Sequence, residues 1–313
     1  PFSPSEFLEL QPKILITFGG MIVSKRVKAF LRKYKPRHHW HIDEHRAYDT
    51  FGILTKHFQV EPNQFFKQFL PFVKDIESDL TIGIDTPQNM ADTAAKFVAD
   101  GVRMIKVKLG KDPATDIARI QKIREAVGPN ITLRIDANQG WSFDDAVTAL
   151  TGLGACDIQF CEQPMRTFND HLLPALRAIS PIAIMADESV YTHHDAERMI
   201  ENKACTYINI KLAKSGGIKE ALAINKVAEA AGIPCMLGGM LESRLALSAK
   251  VHLAMSLDNI KYYDLDTCLL GHKIDPVTGG AIYKGMHLEL SDAPGIGADV
   301  DPAFLQTLEH VVI

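Results

Sequence analysis

From residue 80 onward the chain alternates between short apolar runs and longer amphipathic stretches. The apolar runs have the length and the polar flanks of buried parallel strands, whereas the longer stretches have the apolar spacing of helices packed on one face. Thr86-Pro87 and Thr192 are typical starts of such helices. We predict strands at 81–85, 104–109, 131–136, 157–162, 182–187, 206–211, 234–238 and 262–266, and helices at 86–100, 113–126, 142–152, 170–178, 193–201, 217–231 and 242–256.

This order of elements predicts an α/β protein with a (β/α)7β TIM-like barrel that lacks a regular last helix. The barrel would occupy residues 81–268, after an N-terminal capping segment at 1–80. Residues 269–313 are rich in glycine turns and predict antiparallel strands followed by a short helix at 302–310. We expect this tail to return to the N-terminal segment and to complete a small α+β capping domain with it.

The N-terminal segment contains a helical pattern and a basic stretch. Apolar side chains recur at roughly helical spacing through residues 41–60, which predicts a helix there. The basic stretch and the histidines after it would suit a nucleic-acid surface or a metal site, but the histidines lack cysteine or carboxylate partners at a matching spacing. We therefore favour a solvent-exposed helix face and a polar loop. The residues are Lys25, Arg26, Lys28, Arg32, Lys33, Lys35, Arg37, His38, His39, His41 and His45.

Composition and charge exclude several classes of protein. The 313 residues, 46% apolar and 23% charged, suffice for one large domain and a small one. A net charge of −4 gives no general attraction to nucleic acid or to an anionic membrane. The five cysteines are odd in number with no Cys-x-x-Cys spacing, no apolar run reaches the roughly 18 residues of a membrane span, and no signal peptide is visible. We expect a cytoplasmic protein with reduced cysteines.

Two lysines interrupt the second predicted barrel strand. Lys106 and Lys108 are two positions apart, so their side chains point to the same face of the strand. Lysines on an edge strand that discourage aggregation would give the same pattern. The acidic residues that follow favour a chemical role instead.

Acidic side chains stand at the ends of three successive predicted strands. Asp136, Glu162 and Asp187 are each about one strand–helix unit apart, so all three would reach the same rim of the barrel. Three converging carboxylates repel one another unless a cation neutralises them, and an all-oxygen set suits Mg²⁺. Ordinary helix N-caps would explain one such acid easily and three poorly. Asn138 and Glu188 stand beside this set and would support it.

Lysines flank the three acids in strand order. Lys108 comes just before them and Lys211 just after them, so the two amines would approach a ligand from opposite sides. Two bases on opposite faces of one carbon are what a racemase or epimerase needs, with the metal and Lys106 stabilising the enolate. The charge of Lys106 and of the metal would also lower the pKa of Lys108 towards neutrality. The rival chemistry is a Schiff base on Lys211 or Lys108, but it calls for no metal site beside it.

These motifs together resemble the enolase superfamily, and specifically its muconate-lactonizing subgroup. The matching motifs are Lys106-Val-Lys108, Asp136-Ala-Asn138, Glu162-Gln-Pro164, Asp187-Glu-Ser189, Lys211-Leu-Ala-Lys214 with the two glycines after it, and Gly238-Gly-Met-Leu-Glu-Ser243. The resemblance covers about residues 80–300. It implies one Mg²⁺ per subunit on Asp136, Glu162 and Asp187, with Lys108 and Lys211 as the acid–base pair.

Within that subgroup the last predicted strand is similar to that of dipeptide epimerases. Asp264-Leu-Asp266 matches their Asp-x-Asp pair, which holds the free α-ammonium of a dipeptide, and two buried carboxylates do require a cation. Muconate cycloisomerases and o-succinylbenzoate synthases bind substrates without that ammonium. The resemblance also implies that Thr81 contacts the substrate and that Gly239 and Leu241 line the pocket.

The expected function is therefore Mg²⁺-dependent epimerisation of the C-terminal residue of an Ala-Xaa dipeptide, in which Xaa is glutamate of murein-peptide origin or a hydrophobic residue. The alternatives are an N-acylamino-acid racemase, an o-succinylbenzoate synthase-like enzyme, or a non-catalytic barrel with a defective cap. The departure from the family is N-terminal, where about 80 residues precede the barrel, so that the cap is either short or incomplete here. We expect a homo-oligomer that binds a small dipeptide and neither nucleic acid nor membrane.

Overall fold

The computed structural model describes residues 7–8, 10–20, 22, 24–69, 75–271, 274–291 and 293–309. The chain divides into two compact units, Pro1–Lys74 and Asp75–Ile313. The division lies a few residues before the predicted start of the barrel at residue 81.

Within the described residues, the first unit is a three-stranded parallel sheet with two helices. The strands pair in chain order, β1 with β2 and β2 with β3. The basic helix α1 connects β1 to β2, and six of the seven basic residues at 25–37 are exposed, as the predicted solvent-exposed helix face requires. The elements are β1 (Ile14–Phe18), α1 (Lys25–Lys33), β2 (His38–Ile42), β3 (Leu54–Phe58) and α2 (Pro62–Phe69).

The helix predicted for residues 41–60 is wrong. That range holds the end of β2, a loop, and β3 instead. His39 exchanges two hydrogen bonds with the Thr55 hydroxyl, at 3.1 Å from its N–H and 2.9 Å to its carbonyl, and these bonds tie the strands together. The apolar residues that suggested a helix are distributed over two strands and their loop, so their spacing matched a helix by coincidence.

The second unit contains eight parallel strands in unbroken chain order within the described residues. They are β4 (Leu80–Ile82), β5 (Met104–Lys108), β6 (Thr132–Asp136), β7 (Ile158–Glu162), β8 (Ile184–Ala186), β9 (Tyr207–Ile210), β10 (Cys235–Gly238) and β11 (Ile260–Asp264). The helices between them are α3 (Pro87–Ala99), α4 (Pro113–Val127), α5 (Phe143–Gly152), α6 (Leu173–Ile179), α7 (His193–Glu201), the short α8 (Leu212–Ser215), α9 (Ile218–Ala230) and α10 (Arg244–Ser256). Every predicted barrel strand and helix is confirmed, with ends that differ by a few residues.

The first and last strands of this sheet lie against each other. The Asp79 N–H donates to the Tyr263 carbonyl at 3.3 Å, and the Leu265 N–H donates to the Ser78 hydroxyl at 2.8 Å. The residues entering β4 are therefore level with the residues leaving β11. The eight strands form the predicted barrel.

Side-chain alternation separates the helix-facing core from the barrel interior. On β5, Ile105 and Val107 are fully buried in the apolar core under the helices, whereas Lys106 points to the other face and is only 1% exposed. Lower in the interior, the Arg134 guanidinium stacks 5.2 Å from the Phe160 ring centroid and 5.5 Å from that of Tyr262. The barrel therefore carries its charged groups inside, above an aromatic layer.

Two glycines bring the ends of β5 and β6 together at the carboxyl-end rim. A Cβ on Gly110, whose φ is +96°, would lie 2.0 Å from the Ala137 carbonyl oxygen. A Cβ on Gly140 would lie equally close to the Gly110 carbonyl oxygen. Only glycine fits both positions, and their contact fixes the loop that carries Asn138.

The C-terminal tail forms the predicted antiparallel strands. β12 (Val277–Gly279) pairs with β15 (Ala298–Val300), and β13 (Ile282–Lys284) pairs with β14 (His287–Glu289). The tail packs on the barrel, since the Leu288 N–H donates to the Ile76 carbonyl at 2.9 Å. Its helix α11 (Pro302–Leu305) is shorter than predicted, with residues 310–313 outside the described range. The return of the tail to the N-terminal segment stays a prediction.

In the described part of the chain, no helix is both long and apolar enough to cross a membrane. All five cysteines are free thiols, and four of them are buried. The expectation that these cysteines belong to the core is confirmed for those four.

Candidate active site

The predicted site residues meet at the carboxyl ends of the barrel strands, around one buried amine. Lys106 Nζ lies 2.7 Å from Asp264 Oδ2, 2.7 Å from Glu162 Oε2 and 3.1 Å from Asp136 Oδ2. Lys106 thus links two of the predicted metal ligands to the acidic pair on the last strand. The interpretation of Lys106 and Lys108 as edge-strand lysines is wrong, because β5 lies between β4 and β6.

The other two lysines lie at opposite ends of the row of acids. Lys108 Nζ is 2.7 Å from Asp136 Oδ2, at the first acid in strand order. Lys211 Nζ is 2.5 Å from Asp187 Oδ2, at the last acid, and 3.6 Å from Glu162 Oε1. Both lysines are at the rim, and Lys108 is the more exposed of the two.

The three predicted metal ligands are buried and are joined through shared lysines. Lys106 bridges Asp136 and Glu162, and Lys211 bridges Glu162 and Asp187. Each carboxylate therefore has an ammonium beside it.

Backbone and amide groups orient these carboxylates. The backbone N–H of Asn138 donates to Asp136 Oδ1 at 2.8 Å. The Asn209 side-chain amide donates to Glu162 Oε1 at 2.7 Å. The side-chain carbonyl oxygen of Gln163 accepts from the backbone N–H of Asp187 at 2.9 Å, so the two strand ends are locked together.

In this row, the charges of neighbouring side chains outweigh burial in setting the pKa values of Asp187 and Lys211. Burial works to raise the pKa of Asp187, but Lys214 and Lys211 outweigh it and lower the pKa to about 2. Burial likewise works to lower the pKa of Lys211, but Glu162 and Asp187 outweigh it and raise that pKa. The pKa of Glu188, the other predicted supporting residue, is raised by burial and by Asp187.

A second acidic group lies beside the row. Asp79, Asp264 and Asp266 are all buried, and each offers a carboxylate oxygen within 4.8 Å of the others. Among the described residues, no other group of three or more His, Cys, Asp or Glu side chains meets that spacing. Arg134 holds Asp79 at 2.8 Å, and Lys106 holds Asp264.

Charge balance in this second group differs from that in the row. Burial and the neighbouring Asp264 raise the pKa of Asp266 to about 6, and burial raises the pKa of Asp79 well above its usual value. Burial also works to raise the pKa of Asp264, but Lys106 outweighs it and lowers that pKa. The group therefore has more carboxyls than nearby cations.

Two of the three remaining predicted residues lie beside this acidic group, and the third is on the same loop as one of them. The Thr81 N–H donates to Asp266 Oδ2 at 2.7 Å. A Cβ on Gly239 would lie 3.4 Å from the Asp264 carbonyl oxygen, so the glycine is next to the pair. Leu241 is 79% exposed on the same loop.

Sequence reasoning gave no role to several residues of the site. Gln163 and Lys214 stand inside the motifs that were recognised, and Asn209 stands two residues before one of them, but motif spacing alone does not reveal which group each contacts. Asp79 directly precedes β4. Its place in the site follows only from the pairing of the residues before β4 with the end of β11. Lys250 lies in a helix, where the sequence pattern places no site residue.

Known proteins match the barrel region. The family described as enolase C-terminal domain-like matches residues 89–304. The D-Ala-D/L-Ala epimerase of Cytophaga hutchinsonii is 44% identical over 241 residues, covering 77% of this chain and 65% of that protein. The L-Ala-D/L-Glu epimerase of Clostridium acetobutylicum is 41% identical over 230 residues, covering 73% of this chain and 64% of that protein.

A solved structure extends this likeness to three dimensions. The dipeptide epimerase from Cytophaga hutchinsonii, complexed with Mg and the dipeptide D-Ala-L-Val, has a TM-score of 0.74 at 45% identity, covering 75% of this chain and 64% of that one. The chain thus spans just under two thirds of the length of these relatives. The resemblance that the motifs carried is confirmed, and the chain belongs to the enolase C-terminal domain-like family.

Proposed function

We propose that this chain carries the active site of a Mg²⁺-dependent dipeptide epimerase, which inverts the α-carbon of the C-terminal residue of an Ala-Xaa dipeptide. The observation that carries the proposal is the position of Lys108 and Lys211 at opposite ends of one row of carboxylates. A substrate held over that row would have one amine on each face of its α-carbon. Two such amines permit a 1,1-proton transfer, in which one takes the α-proton and the other returns a proton from the opposite side.

The acids beside Lys211 favour its ammonium form. Glu162 and Asp187 raise the pKa of Lys211 although burial works to lower it, and this ammonium can donate a proton to one face of the enolate, whereas the reverse reaction needs the neutral amine. Lys106, held by three carboxylates, has a raised pKa as well, although burial alone would lower it. Its positive charge would stabilise the enolate oxygen of the substrate.

The donor set at the rim fits Mg²⁺. Asp136, Glu162 and Asp187 are buried oxygen donors from three adjacent strands, with no histidine or cysteine among them. When bound, Mg²⁺ would supply positive charge that stabilises the carboxylate and enolate oxygens of the substrate.

The acidic pair at the end of β11 supports a dipeptide as the substrate. Asp264 and Asp266 lie beside the row of acids, connected to it through Lys106. A buried group with excess carboxyl oxygens favours a cation, and the free α-ammonium of a dipeptide supplies one. The relatives named above as dipeptide epimerases support the same substrate class. The exchange experiment below compares dipeptides with acidic and with hydrophobic second residues.

N-acylamino-acid racemase or o-succinylbenzoate synthase-like activity is the rival within the family. Those substrates carry no ammonium at this position, so Asp264 and Asp266 would remain without a cationic partner from the ligand. A non-catalytic barrel is the rival outside it, and nothing in that role requires three lysines and four acids to converge in one buried site.

Proton–deuterium exchange tests the proposal. Ala-Xaa dipeptides with acidic and hydrophobic second residues are incubated with the protein and Mg²⁺ in D₂O, and the α-proton signals are followed by NMR. We expect the α-proton of the C-terminal residue to disappear, and EDTA to abolish the exchange. The matched control is the same dipeptide with an acetylated amino group. Exchange only in the acetylated series would replace the proposal by the acylamino-acid alternative, and exchange in neither series would overturn it.

A further inference from the structure

A lysine is fully buried in the middle of helix α10. Lys250 is 0% exposed, and its Nζ lies 2.5 Å from Glu242 Oε2. Burying an ammonium away from water is costly unless it is paired, so the pair has to be built into the fold. The proton transfers proposed above do not use Lys250.

Glu242 belongs to the loop between β10 and α10, which the pair holds in place. Glu242 Oε1 accepts from the Met240 N–H at 3.1 Å, and the Glu242 N–H donates to the Thr267 hydroxyl oxygen at 3.0 Å. The same hydroxyl donates to the Met240 carbonyl at 2.7 Å. The loop is therefore fastened to the segment that directly follows Asp266.

Gly239 shows how closely the loop packs between the lysine and the acidic group. A Cβ at Gly239 would lie 3.4 Å from Lys250 Nζ and 3.4 Å from the Asp264 carbonyl oxygen. Little space therefore separates the loop backbone at Gly239 from the Lys250 amine and from Asp264.

The same loop exposes two apolar side chains directly after Gly239. Met240 is 54% exposed and Leu241 is 79% exposed. They follow β10, in which Gly238 is paired directly with Asp264 on β11. If Asp264 and Asp266 hold the α-ammonium, the side chain nearest this loop is that of the N-terminal residue of the dipeptide.

We propose that Lys250 is a positioning residue, which through Glu242 sets the loop of Met240 and Leu241 and thereby the preference for the N-terminal residue of the dipeptide. The inference rests on the proposed dipeptide substrate. It predicts a change in discrimination at the first residue and little change in the proton transfer itself, because Lys108 and Lys211 are on other strands.

The test compares Lys250→Met with Lys122→Met. Lys122 pairs with Glu125 at 3.0 Å on the surface of α4 and serves as the matched control. For Lys250→Met we expect KM for an Ala-Xaa dipeptide to rise about tenfold while kcat stays within about twofold, and the preference for Ala-Xaa over Leu-Xaa to fall about tenfold. Lys122→Met should match the wild type. If Lys250→Met fails to fold, Glu242→Gln carries the same comparison.

Hydrogen exchange of the loop amides separates this inference from the proposed function. Peptides that cover residues 238–243 should exchange faster in Lys250→Met than in the wild type, whether or not the protein is active. Suppose that the wild type is active and that Lys250→Met folds. If the variant then keeps the wild-type preference for Ala-Xaa over Leu-Xaa, the inference is overturned. An inactive wild type would refute the dipeptide activity, and unchanged loop exchange would then overturn the positioning role as well.

Discussion

Two groups of buried carboxyls stand side by side in this barrel and differ in their charge balance. In the row of Asp136, Glu162 and Asp187, every acid has a lysine ammonium within 3.1 Å. In the group of Asp79, Asp264 and Asp266, carboxyls outnumber cations and two of the three pKa values are raised. The same residue type is thus neutralised by lysines in one place and lacks enough cations in the other.

The comparison teaches that burial alone does not decide protonation. Asp187 and Asp266 are both buried, yet the pKa of one falls to about 2 and that of the other rises to about 6. The difference comes from Lys214 and Lys211 beside Asp187, and from Asp264 beside Asp266. Changing either an acid or its charged partner should therefore change the function of each group.

The largest expected effect comes from removing a lysine of the row. Lys108→Ala and Lys211→Ala should each lower the rate of epimerisation about 10³-fold or more, because each proton transfer loses its acid or base. The rate is followed by polarimetry or by NMR, with thermal melting monitored by circular dichroism as the control for folding. Near-normal turnover in either variant would refute the two-base mechanism.

A smaller effect should follow from changing the second group. Asp266→Asn removes a charge opposite the substrate ammonium, so KM for Ala-Xaa should rise about 10- to 100-fold with a smaller change in kcat. Steady-state kinetics over a range of dipeptide concentrations measure the split. An unchanged KM would favour the acylamino-acid alternative.

Acidification should weaken substrate binding through the same residue. Because the pKa of Asp266 is raised to about 6, its carboxyl becomes neutral below that pH and attracts an ammonium less. KM should therefore rise as the pH falls through about 6 in the wild type, and this dependence should be absent in Asp266→Asn. A flat KM profile in the wild type would contradict the assignment.

The smallest expected effect is on stability. A carboxyl whose pKa is higher in the folded than in the unfolded state binds more protons when folded, so stability falls as the pH rises from about 4 to about 6. The free energy of unfolding of the wild type, relative to Asp266→Asn, should decrease by at most about 3 kcal/mol across this window. Denaturant titrations at several pH values measure it, and an opposite slope would exclude a raised pKa.

Prediction from sequence succeeded where the pattern is repetitive and failed where it is local. The barrel strands recur at the regular interval of one strand–helix unit. That regularity is enough to place the polar residues at their carboxyl ends on a common rim. Residues 41–60 contain single short strands, whose apolar positions matched a helix as well as a strand. Lys250 lies in an amphipathic helix where a lysine is ordinarily solvent-exposed, and only the packing around Glu242 reveals its burial.

One measurement tests the central claim most directly, which is that Lys108 and Lys211 act on opposite faces of one carbon. Both epimers of an Ala-Xaa dipeptide are incubated separately in D₂O with Mg²⁺ and with each lysine-to-alanine variant, and α-deuterium incorporation is followed by NMR. The account predicts that each variant loses epimerisation, that one exchanges only the L-configured residue, and that the other exchanges only the D-configured residue. Exchange of both epimers by a single variant would contradict it.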